Sequence, residues 1–143
     1  MNYETPFDKL QKKIETLTIE EFAVLSRELQ KLKGGLFMKD YILVLITAGS
    51  IKEGEKIACA LVEEGLAACC NIIPGIKSVF KWKGKVCKET EVLLMVKSKA
   101  SIFEKLKKRV KKLHSYEAPE IIAFSIKDGL KAYLNWIDEV LEA

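Results

Sequence analysis

This sequence is short of the groups on which most enzymes and metalloproteins rely. It has one histidine, His114, and its four cysteines (Cys59, Cys69, Cys70 and Cys87) show neither a C-x-x-C pair nor zinc-like spacing. With a single imidazole, nothing orients a Ser–His or Cys–His nucleophile. The glycines fit neither the Walker nor the dinucleotide pattern, so no phosphate loop is expected. No catalytic residue is assigned, and the chain reads as a non-enzyme. Long hydrophobic runs are missing too. The longest, Tyr41 to Ile46, falls far short of the roughly 20 apolar residues of a bilayer-spanning helix. Residues 1–20 mix both signs of charge and hold no signal-peptide core. A net charge of +4 is mild for a nucleic-acid binder. These shortages predict a cytoplasmic protein with no membrane and no nucleic-acid partner. With 49% hydrophobic and 31% charged residues, the chain can bury a core.

What is present is a clear order of elements. Thr5-Pro6 opens a helix, with proline at the first helical position. A second opens at Thr18, where Glu21 completes a capping box; Phe22, Leu25, Leu29 and Leu32 repeat at helical spacing until Gly34-Gly35 closes the segment as a hinge. Acidic and basic residues balance over residues 1–37, so the whole net charge belongs to 38–143. Tyr41 to Thr47 is apolar and β-branched, a central strand. Ser50 with Glu53 caps a helix that buries Ile57, Ala58, Leu61 and Val62 and ends at Gly65. Ala67 to Ile73 reads as a strand, Pro74-Gly75 as a turn that breaks it, and Ser78 to Trp82 as its continuation. Lys83-Gly84 is a hairpin turn into a long strand, about Lys85 to Lys97. Ser101 with Glu104 caps a second helix, with Phe103, Leu106, Val110 and Leu113 inward. Glu120 to Ser125 is the last strand, and a terminal helix runs from Asp128-Gly129 through Trp136 and Leu141.

The predicted fold class is α+β: a ferredoxin-like βαββαβ sandwich with a C-terminal helix and an N-terminal helical extension. The domains are 1–37, the extension, and 38–143, the main domain. An antiparallel sheet with helices on one face leaves the other face open. The side chains alternating along Val92 to Val96 are too apolar to stay wet there, so self-association is expected.

Few residues suggest chemistry. The basic run at 105–112 leaves its lysines on the arc of a helix opposite the apolar stripe, a solvated face with no aromatics to stack bases. Cys69 and Cys70 are neighbours in a strand, point to opposite faces and read as small hydrophobes. His114 ends a helix, where a positive charge suits the carbonyl ends. Tyr116, Glu117 and Glu120 follow closely, and oxygen with imidazole suits several divalent metals.

The blocks LVEEGLAACCN (61–71), Ser78 to Gly84, Glu91, Lys97, HSYEAPEI (114–121), Tyr133 and Trp136, with Thr47-Ala48, resemble the divalent-cation tolerance (CutA) family over roughly residues 40–141. Residues 1–37 lie outside the resemblance, and Met38 stands where a member would begin. The resemblance implies a tight homotrimer whose long hairpins pair across subunits, and a role in tolerance to copper and other divalent cations. It carries no reaction. Metal-binding members have a cysteine before the Thr-Ala pair and paired histidines before a proline and tyrosine. Here Ile46, Leu113-His114 and Ser115 stand at those places, so only His114 remains of that set, with Cys69, Glu91 and Glu117 as substitutes. The expected metal residues are therefore His114, Glu91, Glu117 and Cys69, in an intersubunit cleft lined by Trp82, Lys97 and Tyr116. The expected cofactor is a weakly held divalent metal such as copper(II). The alternatives are a small-molecule or nucleotide-sensing trimer and a structural trimer that anchors partners without a ligand.

Overall fold

The computed structural model describes residues 6–36 and 40–142. The chain forms two compact units that divide between residues 39 and 40.

The first unit has two helices, α1 (Pro6–Glu15) and α2 (Ile19–Leu36). The capping box forms: the Glu21 N–H donates to the Thr18 hydroxyl at 3.2 Å, and the Thr18 N–H donates to the Glu21 carboxylate at 2.8 Å. The Thr18 N–H and the Thr18 hydroxyl, both donating to it, hold the Glu21 carboxyl below its ordinary range. The glycine pair does not close the segment, because α2 runs through Gly34-Gly35 to Leu36. Glycine weakens a helix interior by about 1 kcal/mol without forbidding it. Phe22 and Leu25 are exposed. Thr5, Met38 and the side chains of Leu29 and Leu32 lie outside the described residues.

The second unit is a four-stranded antiparallel sheet in the order β2-β3-β1-β4, from β1 (Tyr41–Ala48), β2 (Cys69–Trp82), β3 (Lys85–Lys99) and β4 (Ile121–Ser125). Helices α3 (Ile51–Glu63) and α4 (Phe103–Leu113) connect the strands, and α5 (Lys131–Glu142) ends the fold. This is the ferredoxin-like arrangement with a terminal helix. Period-two alternation sends Ile42, Val44 and Ile46 of β1 and Leu94 and Val96 of β3 into one core with Ile57, Leu61, Leu106 and Val110.

Val92, Leu94 and Val96 are thus buried under the helix layer. It is Leu93 and Met95, with Leu43 and Leu45 of β1, that line the opposite, half-buried face. That face is not bare of helices. At one end α5 sets Leu134 and Ile137 against Tyr41 and Ala68, and Asp138 accepts the Tyr41 hydroxyl at 2.5 Å and pairs with Lys99 at 2.8 Å.

Three local expectations change. Pro74-Gly75 does not break the strand. β2 is continuous, with a register shift between Ile73 and Ile76, and Gly75 sits at φ +74. A proline without an N–H beside a left-handed glycine makes a bulge, which local sequence cannot tell from a turn. Val62 is exposed while Gly54 is buried in its stead. Nor does Ser101 cap α4. A 3-10 turn (Ala100–Ile102) leads into the helix, and Asp40 takes the cap role from a distance. Its carbonyl accepts the Ala100 N–H at 2.7 Å and its carboxylate the Ser101 N–H at 2.8 Å. The Lys83-Gly84 turn forms with both residues at positive φ (46 and 80), the twist that a two-residue hairpin needs. Gly65, at φ +66, ends α3, with Leu66 and Gly65 donating back to the Leu61 and Val62 carbonyls at 2.8 and 3.2 Å.

Candidate functional site

The end of α4 builds the site. At His114 the backbone leaves the helix (φ −80, ψ 139), and its ring turns inward, with the side chain wholly buried. Nε2 lies 2.7 Å from the Thr47 carbonyl, and Nδ1 lies 3.1 Å from the Tyr116 N–H. The bonds assign the tautomer: Nε2–H donates to Thr47 and Nδ1 accepts from Tyr116. Both ring nitrogens are thus engaged by backbone, which is the tie between β1 and the segment leading to β4.

Glu53 closes the same junction from α3. Its carboxylate accepts the Ser115 N–H at 2.6 Å and the Gly49 N–H at 3.2 Å, and lies 3.6 Å from His114 Nδ1. Burial pushes the Glu53 carboxyl up, but the hydrogen bonds from Ser115 and Gly49 outweigh it, leaving it below its ordinary range.

Tyr116 packs its ring 4.9 Å from that of His114 and donates its hydroxyl to Glu91 at 2.9 Å. A side chain at Gly49 would put its Cβ 3.0 Å from that hydroxyl, so the missing side chain makes room for Tyr116. Burial, then the Glu91 bond and charge, push the phenol up to about 12, and Tyr116 stays a donor at neutral pH.

Between this segment and the β2–β3 hairpin opens a cleft of about 970 Å³, lined among others by Phe80, Trp82, Glu89, Glu91, Tyr116 and Glu120. Of the expected residues, Glu91, Glu117, Trp82 and Tyr116 line it together. His114 supports it from behind Tyr116. Glu117 is largely exposed, 3.9 Å from Lys83. Cys69 and Lys97 are register partners away from the cleft. Cys69 lies beside Tyr133, whose hydroxyl is pushed up by burial and by that contact, and the Lys97 amine bonds the Asn71 side chain and the Met95 carbonyl. Cys70 points the other way into the core, where burial pushes its thiol up to about 11.

Phe80, Cys87 and Glu89 are not among the residues expected from the sequence, yet it carries a signal for them. Counting by twos from the Lys83-Gly84 turn puts Phe80 on the face of Trp82, and Cys87 and Glu89 on that of Glu91. Glu53 shows in the sequence only as part of a helix cap, because its second partner, Ser115, is remote in sequence.

The residues do not fit a bare metal ion within one subunit. Among the described residues no three His, Cys, Asp or Glu side chains converge as ligands, and His114 would have to break a backbone bond to coordinate one.

Residues 42–140 match the family described as CutA1 divalent ion tolerance protein. The divalent-cation tolerance protein CutA of Thermus thermophilus is 50% identical over 97 residues, 68% of this chain and 94% of that protein. The Archaeoglobus fulgidus protein of the same name is 48% identical over 99 residues, 69% and 96% of the two chains. The Arabidopsis thaliana relative, named chloroplastic, is 44% identical over 96 residues, 67% of this chain and 53% of that protein. Among solved structures, Cut A1 from T. thermophilus superposes with a TM-score of 0.66 at 50% identity, covering 67% of this chain and 93% of that one. The A. fulgidus structure, described as a periplasmic divalent cation tolerance protein CutA, gives 0.69 at 46% identity, covering 71% and 98%. Among the described residues no helix is long and apolar enough to cross a membrane. Fold and similarity along almost the whole second unit agree: the chain belongs to the CutA divalent-cation tolerance family.

Proposed function

We propose that this chain serves divalent-cation tolerance as a non-enzymatic, cytoplasmic homotrimer that binds a divalent cation weakly, copper(II) first among them, in the Glu89–Glu91 cleft. The observation that carries the reading is Glu91, 95% buried by its 5% exposure, lining a cleft with three further carboxylates, Glu89, Glu117 and Glu120. Such a set draws cations and keeps them weakly, because the described residues of one chain supply no complete ligand set. A neighbouring subunit would complete it. Support for the assembly comes from the half-buried sheet face of Leu43, Leu45, Leu93 and Met95, which continues into exposed Ile122, Phe124 and Ile73. The acidic lining speaks against a nucleotide, whose phosphates it repels.

The test is a copper(II) titration followed by Trp82 fluorescence in a Trp136→Phe background, for Glu91→Gln and His114→Ala beside the parent. Weak saturable quenching, lost in Glu91→Gln, is expected. His114→Ala should weaken binding by loosening Tyr116. A flat titration, or one that Glu91→Gln leaves unaltered, refutes the site.

A further inference from the structure

We propose that the same cleft takes a linear organic polycation, an alkyl diamine or triamine, which it matches better than a bare metal ion; this rests on the reading of the cleft as a cation site. Glu91 is 5% exposed and receives one hydrogen bond, from Tyr116 to Oε1 at 2.9 Å. Among the described residues no basic side chain pairs with it, and no fully buried side-chain oxygen lacks a partner. The unbonded Oε2 is therefore open to the cleft. A carboxylate with one neutral donor and its second oxygen facing the cleft offers a ready partner to a positive group.

The spacing says which kind. Glu89 and Glu91 lie on one face of β3, two residues apart, hence about 7 Å apart along the strand. That backbone spacing is close to the separation of ammonium groups across a four-carbon chain, whereas a single ion, with metal–oxygen bonds of about 2 to 2.5 Å, is reached by both carboxylates only if they lean together.

The walls say the rest. Phe80 stands opposite Cys87 in register and Ser78 opposite Glu89, so Phe80 and Trp82 share the carboxylates' face of the hairpin, and Tyr116 faces them across the cleft. Both Phe80 and Trp82 remain about 40% exposed in the subunit (40% and 42%). Aromatic faces attract ammonium groups and shed water against methylenes, whereas a hydrated metal ion gains nothing from them.

Isothermal calorimetry of the full chain with spermidine, putrescine, butylamine and, separately, copper(II) tests this. Spermidine should bind saturably, roughly tenfold tighter than butylamine, and compete with copper. Glu91→Gln and Trp82→Leu should each weaken spermidine roughly tenfold, with Trp82→Leu affecting copper much less; thermal melts of each variant confirm folding. Copper binding without spermidine binding overturns the proposal and leaves the cation site standing. Spermidine binding indifferent to Trp82→Leu shows only diffuse attraction to acidic surface and overturns it too. Binding of neither overturns both readings.

Discussion

Glu53 carries more than its place in a helix cap suggests. One carboxylate, 14% exposed in its side chain, accepts backbone donors from the β1–α3 turn and from the segment after α4. Charge-assisted bonds of this kind are the stronger ones. Glu53→Gln should cost about 1–2 kcal/mol of stability at pH 7. The sign of its pH dependence follows from the depressed carboxyl. Its contribution is complete above the ordinary carboxylate value of 4.5 and is lost as pH falls through the lower folded value. Urea melts from pH 7 to 3 should therefore show parent and variant converging only at the acid end; a constant gap would remove the ionised Glu53 from the account. His114 beside it is a positioning residue, its two nitrogens holding Thr47 and Tyr116 in place.

Among the elements, α4 gives the sharpest contrast. Its predicted cap, Ser101, has no side-chain cap bond, and Asp40, just ahead of β1, serves instead through both its carboxylate and its carbonyl. Asp40→Ala should lower stability by about 1 kcal/mol, while Ser101→Ala should be near neutral. Denaturant midpoints for the two variants decide it, and the reverse order would restore the local capping box. The same helix clasps α3 through Arg109, which donates to Glu64 at 2.6 to 2.9 Å and whose guanidinium is held above its ordinary range by those bonds. Lys107 pairs with Glu104 at 2.7 Å and lies over Phe103, so the basic run is partly neutralised on its own helix.

For the molecule as a whole, the second unit holds the family match and the candidate cleft. If the open sheet face is where subunits meet, residues 38–143 alone should scatter light as about three subunit masses, because burying such a face favours a closed oligomer. Removing residues 1–37 should leave that mass and the melting temperature nearly unchanged. A stable monomer at micromolar concentration would remove the trimer, and loss of assembly on truncation alone would place the Phe22–Leu25 stripe within it.

Alternation and turn chemistry, read directly from the residues, determined much of this fold. β-branched runs gave β1, β3 and β4, positive-φ glycines gave the end of α3 and the hairpin turn, and the order of elements gave the ferredoxin-like topology. These are local properties, decided within a few residues. The separated blocks from Leu61 to Trp82 and His114 to Glu120 also carried the family. Long-range register was beyond local pattern. Only the folded chain decides that Pro74-Gly75 bulges and does not turn, since the answer depends on whether β3 continues alongside. Only packing decides which set of alternating side chains on β3 meets the helices. The site divides in the same way. Glu91, Glu117, Trp82 and Tyr116, expected from the resemblance, line one cleft, while Cys69 and Lys97 share that face of the sheet but lie about 20 Å further along β3. His114 turns from an expected ligand into a support because its hydrogen-bond partner Thr47 lies 67 residues away, a distance no local reading spans.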